Sequence, residues 1–138
     1  MSAISASQVK ELREKTGLGL MDCKKALEGA NGDIDLAIEE LRKTSGIKAS
    51  KKSGRSAADG LIGITNKGKD FFMIEVNCET DFVARDESYI NFTKETLDIY
   101  SNNPSHSLEQ LLKSGVEDNR EKLVQKLGEN IVVRRLAK

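Results

Sequence analysis

Between Phe72 and Cys78 the residues Phe72, Ile74, Val76 and Cys78 alternate onto one face, the period-2 pattern of a strand with one side buried. No other stretch restricts the chain as strongly. Such a strand needs neighbours along its edges and a layer over its apolar face, because a two-stranded hairpin is marginal by itself. Residues 61–65 read as its hairpin partner, joined to it through the turn-rich Asn66-Lys67-Gly68-Lys69-Asp70. Residues 131–133, Ile-Val-Val, return as a third strand. The cover comes from a helix started by Asp86 or Ser88, which carries Tyr89, Phe92 or Thr93, Leu97 and Tyr100 and ends at Asn102-Asn103-Pro104. Residues 108–112 and 116–127 read as two more helices, and Gly128 closes the second. This part of the chain is α+β.

Upstream the apolar period becomes helical. Ser5 or Ser7 caps a first helix with Val9 and Leu12 on one face and its end at Gly17. A second helix, residues 20–30, places Leu20, Cys23, Leu27 and Ala30 on one face and turns Lys24 and Lys25 away. Asp33 caps a third, with Ile34, Ala37, Ile38 and Leu41 at helical spacing. At this length none is stable alone, so the three faces must meet in a small bundle. The turn Gly17-Leu18-Gly19 leaves Leu18 at the surface or in a corner of that bundle. From Leu41 to Ala58 there is no acid, while Arg42, Lys43, Lys48, Lys51, Lys52 and Arg55 lie among Ser, Gly and Ala. A partly helical, solvated linker is the expectation. A nucleic-acid surface would want aromatic side chains for stacking, and none is interleaved. The organisation expected is therefore a three-helix bundle at 1–44, a basic linker at 45–56, and a small three-stranded antiparallel sheet with helices at 57–138.

With 38% apolar and 32% charged residues the composition is that of a globular chain. The longest apolar runs, such as Phe71-Phe72-Met73-Ile74, are too short to cross a bilayer. The start lacks a basic n-region with an apolar stretch behind it, and Cys23 and Cys78 lie far apart, so a reducing cytoplasm is the expected setting. Lys+Arg and Asp+Glu are equal at 22 each, so recognition of a partner must be local rather than driven by a global field. Catalytic chemistry is poorly supplied. The nearest approach to a phosphate-cradling loop is Gly46 with Lys52-Ser53, where Lys51 occupies the second glycine position. His106 reads as a surface-loop residue. Cys78 is surrounded by acids, which disfavour a thiolate. Glu79, Asp81, Asp86 and Glu87 fit helix starts better than a cation site. The expectation is no catalytic residue, no metal, no cofactor and no direct nucleotide binding.

The most informative stretch is Asn77-Cys78-Glu79-Thr80-Asp81-Phe82-Val83-Ala84-Arg85. Phe82 follows Asp81 at the turn from a strand toward a helix. A large apolar side chain there is either an anchor for a partner's pocket or a lid on the hairpin's core, and the residues alone leave the two balanced.

The same segment, from Glu75 to Arg85, closely resembles a signature of translation elongation factor Ts. Val9-Lys10-Glu11-Leu12-Arg13-Glu14-Lys15-Thr16-Gly17 with Leu20-Met21-Asp22-Cys23-Lys24-Lys25-Ala26-Leu27 resembles another. Asn31-Gly32-Asp33, Ala57-Ala58-Asp59-Gly60 and Gly128-Glu129-Asn130-Ile131 also fit, in order along the chain. The resemblance implies that the bundle is similar to a ubiquitin-associated domain and docks on the nucleotide domain of elongation factor Tu through Arg13, Leu20, Met21 and Lys24. Family members often have methionine where this chain has Leu20. It implies further that Thr80, Asp81, Phe82 and Val83 form the segment that disturbs the partner's magnesium, with Phe82 as the wedge, so that GDP leaves and GTP can bind. Many members continue into a second half of the core. A chain with the first half alone is expected to be either a homodimer, paired through the open sheet edge beside Ile131-Val132-Val133, or a marginally stable monomer. Three other classes compete: a module for ubiquitin-like proteins, an RNA-binding accessory protein using the basic stretch, and a thiol enzyme built on Cys78.

Overall fold

The computed structural model describes residues 3–138, which form seven α-helices and three strands. Helix α1 (Ala6–Thr16) begins at Ser5, whose hydroxyl accepts from the Gln8 amide while the Gln8 side chain accepts from the Ser5 amide. That reciprocal cap satisfies donors which a helix start otherwise leaves open. Helices α2 (Leu20–Gly29) and α3 (Ile34–Lys52) follow, the latter capped by Asp33. Val9, Leu12, Leu18, Cys23, Leu27, Ala30, Ala37 and Leu41 close a first core. Leu18 thus takes the corner position. Leu20 departs from the expected face, since it is 54% exposed. Helical side chains lean toward the N-terminus, so the first residue of α2 projects past the helix end, and burial starts one turn later at Cys23.

The basic stretch is helical as far as Lys52. Helix α3 presents Ala37 and Leu41 to the bundle and then, further along, Ser45 and Ala49 to the rest of the molecule. The Ser45 hydroxyl bonds the Gln125 side chain across to α7 (Glu117–Leu127). One helix therefore serves both cores, and its lysines stay on the wet side, Lys48 pairing with Asp22 at 3.7 Å.

Strands β1 (Asp59–Lys67) and β2 (Asp70–Cys78) form the hairpin, and β3 (Val132–Ala137) pairs antiparallel with the other edge of β2. The order β1-β2-β3 puts the alternating strand in the centre, where its edges are both satisfied. Its inner residues Phe72, Ile74, Val76 and Cys78 are all buried. They pack under α5 (Glu87–Asn102), capped by Asp86, which contributes Tyr89, Phe92, Leu97 and Tyr100 to the same core. Phe72 and Tyr100 meet edge to face at 5.6 Å, and the Tyr89 hydroxyl donates to the Val76 carbonyl at 2.5 Å. Gly63 lets α5 approach: a Cβ there would lie 3.2 Å from Leu97 and 3.1 Å from Ile74.

Helix α4 (Asp81–Ala84) is a single turn at the end of β2. Helix α6 (Leu108–Leu111) runs through a π-type turn at Leu112–Val116, kinked at Gly115, into α7. His106 is half-buried rather than on the open surface. Its amide donates to the Asn103 carbonyl at 3.0 Å, which folds the loop back on the end of α5. The outer face of the sheet is apolar and open, with Ile62, Ile64, Phe71 and Met73 all exposed. No helix among the described residues is long and apolar enough to cross a membrane.

Candidate functional site

The turn after β2 carries the outstanding surface residue. Thr80, extended in backbone, caps α4 by accepting from the Val83 amide at 3.4 Å. Successive helical residues point about 100° apart, so this one turn divides its side chains. Val83 and Ala84 enter the core, while Asp81 and Phe82 face water. Phe82 is 81% exposed, the most open of the large apolar side chains among the described residues. The lid alternative for Phe82 falls on that number. Asp81 pairs with Arg85 at 3.5 Å, one turn along and out in solvent, where such a pair contributes little.

A four-residue helix cannot hold itself. Its support comes from a segment about fifty residues away. Helix α7 ends at Gly128, whose φ of 76° is the left-handed conformation an L side chain avoids. The reversal aims Glu129 at the start of α4. One Glu129 carboxylate oxygen accepts from the amides of Glu79 at 3.1 Å and Thr80 at 3.0 Å, and the other accepts from the Thr80 hydroxyl at 2.7 Å. Glu79 answers in kind, accepting from the Asn130 amide at 3.2 Å and pairing with Arg55 at 3.5 Å. The buried Asn130 side chain donates to the Arg55 carbonyl at 2.8 Å, tying the end of the basic stretch to the same place. Sequence reasoning read Gly128 as a helix end and Ile131 as a strand start, and reached Glu129 and Asn130 only as a point of resemblance. No local pattern couples residue 129 to residue 80.

Cys78 lies under this turn, fully buried, with its thiol donating to the Thr80 carbonyl at 3.2 Å. Burial pushes the Cys78 thiol up, with the nearby Glu129 and Asp59 charges adding to the effect. A thiol held protonated is a poor nucleophile. Burial likewise raises the Tyr89 phenol. No group of three His, Cys, Asp or Glu among the described residues is placed to hold a metal ion.

The bundle offers a second surface. Leu20, Met21 and Lys24 lie on the first turns of α2, Leu20 and Lys24 one turn apart, and Arg13 lies near the end of α1 across the Gly17-Leu18-Gly19 turn. All four are exposed, Leu20 at 54% and Met21 at 60%. Apolar side chains lie exposed at the turn, on the bundle and on the outer sheet face, the class of surface feature that often marks a contact site.

The relatives give that class a family. The family model described as Elongation factor TS matches residues 79–138. An elongation factor Ts of Marinobacter nauticus is 51% identical over 140 residues, covering all of this chain and 48% of that protein. The elongation factors Ts of Hahella chejuensis and Salmonella agona are each 53% identical over 137 residues, covering 98% and 99% of this chain and 48% of each relative. This chain belongs to the elongation factor Ts family. It spans about half the length of the curated relatives it matches.

Proposed function

We propose that this chain serves translation elongation in the cytoplasm as the guanine-nucleotide exchange factor of elongation factor Tu, making no bond itself. The observation that carries the reading is Phe82, four-fifths exposed on a turn whose backbone is fixed from behind. Burying a phenylalanine is favourable by roughly 1.5–3 kcal/mol, free energy that Phe82 keeps in reserve until it enters a partner. Thr80 and Val83 hold the turn, and Asp81 meets the partner's polar groups beside it. A protein that binds the empty GTPase more tightly than the GDP form weakens GDP by the same factor, so inserting Phe82 near the magnesium site expels the nucleotide.

The bundle at 1–44 is the docking unit, with Arg13, Leu20, Met21 and Lys24 as contacts, and residues 57–138 are the exchange unit. The segment at 45–56 joins them and starts as the end of α3. The open sheet face takes a second copy of the same chain. Ile62, Ile64, Phe71 and Met73 are bordered by the Glu75–Arg135 pair, an apolar patch with both charges at its rim, which suits packing about a two-fold axis. The deciding experiment follows release of fluorescent GDP from elongation factor Tu. Acceleration by this chain, saturating with its concentration, is the expected result. Release at the spontaneous rate at every concentration would sink the reading.

A further inference from the structure

We propose that Glu129 is a positioning residue, which presets the Thr80-Asp81-Phe82-Val83 turn in the free protein so that Phe82 enters a partner without first being ordered; this rests on the exchange reading above. Three observations point to it. Glu129 takes three donors, all from the two residues that lead into α4. Because its carboxylate accepts the Thr80 proton, the Thr80 hydroxyl is turned with its lone pairs toward the Val83 amide, the bond that caps α4. The return contacts from Glu79 to Asn130 and Arg55 make the brace reciprocal, so neither segment rotates without the other. Phe82 itself touches none of this. Its direction is set by the backbone at residues 79, 80 and 83, and that backbone is what Glu129 grips.

Without Glu129, two backbone N–H groups and one hydroxyl lose their acceptor, and a four-residue helix loses its cap geometry. The turn then samples other conformations, and only a fraction of docked complexes holds Phe82 correctly. Docking through α1 and α2 is untouched. The effect therefore belongs in the maximal rate of GDP release at saturating chain, while the concentration giving half that rate stays within about twofold. A substitution that simply unfolds part of the sample does the opposite, raising the half-saturating concentration and leaving the maximum alone.

The test uses the whole chain with Glu129→Ala. Amide hydrogen exchange of the chain alone, read by NMR, should quicken on the order of tenfold at Thr80 and Val83, with Ile74 and Val76 unchanged. The maximal release rate should fall by about tenfold. The double variant with Phe82→Ala should be no slower than Phe82→Ala alone, since both act through one side chain. Unchanged amide exchange, an unchanged maximal rate, or additive effects would each overturn the proposal. If Glu129→Ala does not fold, Glu129→Gln is read instead. It keeps an acceptor for the two amides but sets a donor against the Thr80 hydroxyl, and about threefold losses are expected in the same two readouts. Equality with the parent chain overturns the proposal there too. Should the parent chain fail to speed release at all, the exchange reading falls, while the amide measurement still decides whether Glu129 braces the turn.

Discussion

A phenylalanine left 81% in water gives up the burial free energy that its ring would gain inside. Phe82→Ala removes that ring from a position where the core does not use it. The expected outcome is a GDP release rate lowered about tenfold or more, equivalent to about 1.4 kcal/mol, with a thermal midpoint shifted by no more than a degree or two. A variant that unfolds while exchange per folded molecule persists would make Phe82 a structural residue. The opposite behaviour is expected at Gly60. Its φ is 144°, and a Cβ there would lie 2.1 Å from the Val76 carbonyl oxygen of the neighbouring strand. Gly60→Ala should cost about 2–4 kcal/mol in denaturant unfolding through backbone strain and displaced pairing of β1 on β2. Neither residue could be ranked from its neighbours in sequence, because exposure and close approach are properties of the folded surroundings.

Among the elements, α7 does most to place the turn. Arg120 on α7 reaches the Ile131 carbonyl at 2.9 Å while its other nitrogens hold Glu117, one of them at 2.8 Å. The Arg120 guanidinium holds the Glu117 carboxyl below its ordinary value of 4.5. Folding thus favours the ionised form. The associated stability is complete above about pH 4.5 and is lost as pH falls through the lowered value. Glu117→Gln should therefore be destabilised by about 1 kcal/mol at pH 7, a figure discounted because Glu117 is partly exposed, and should lose less than the parent on acidification to pH 3. Equal acid sensitivity in the two would remove the pair from the account. Helix α2 carries side chains of the proposed docking surface, Leu20, Met21 and Lys24. Replacing Met21 by Glu and Lys24 by Glu together should raise the chain concentration needed for half-maximal GDP release by about tenfold, without lowering the maximum. A lowered maximum with unchanged half-saturation would mean that this surface does not dock.

For the molecule as a whole, the open face of the sheet is the unfinished part. Four large apolar side chains in water across one sheet form the kind of patch that proteins cover. Sedimentation equilibrium should find a concentration-dependent dimer, and Ile64→Lys should return it to monomer without loss of helix or strand by circular dichroism. A monomer at all concentrations with a high thermal midpoint would show that the face stays open. Much of this architecture was legible beforehand. The alternation at Phe72, Ile74, Val76 and Cys78 announced the central strand. Asp33, Asp86 and Gly128 marked helix boundaries, because capping is a matter of two or three adjacent residues. What the sequence by itself determined is what local chemistry decides: the strands and the longer helices, their order, most of their buried faces and the segments that resemble a family, but not the single turn of α4. The tertiary structure alone decided that α3 runs on through Lys52 to serve two cores, that Leu20 lies outside the bundle's face, and that Phe82 is a projection rather than a lid. It also decided that Glu129 holds Thr80. The outcomes at α3 and Glu129 depend on contacts from about fifty positions away or more, those at Leu20 and Phe82 on where a helix begins and how a single turn is set on the core. Local periodicity carries no record of either, because it is set within a few residues of chain.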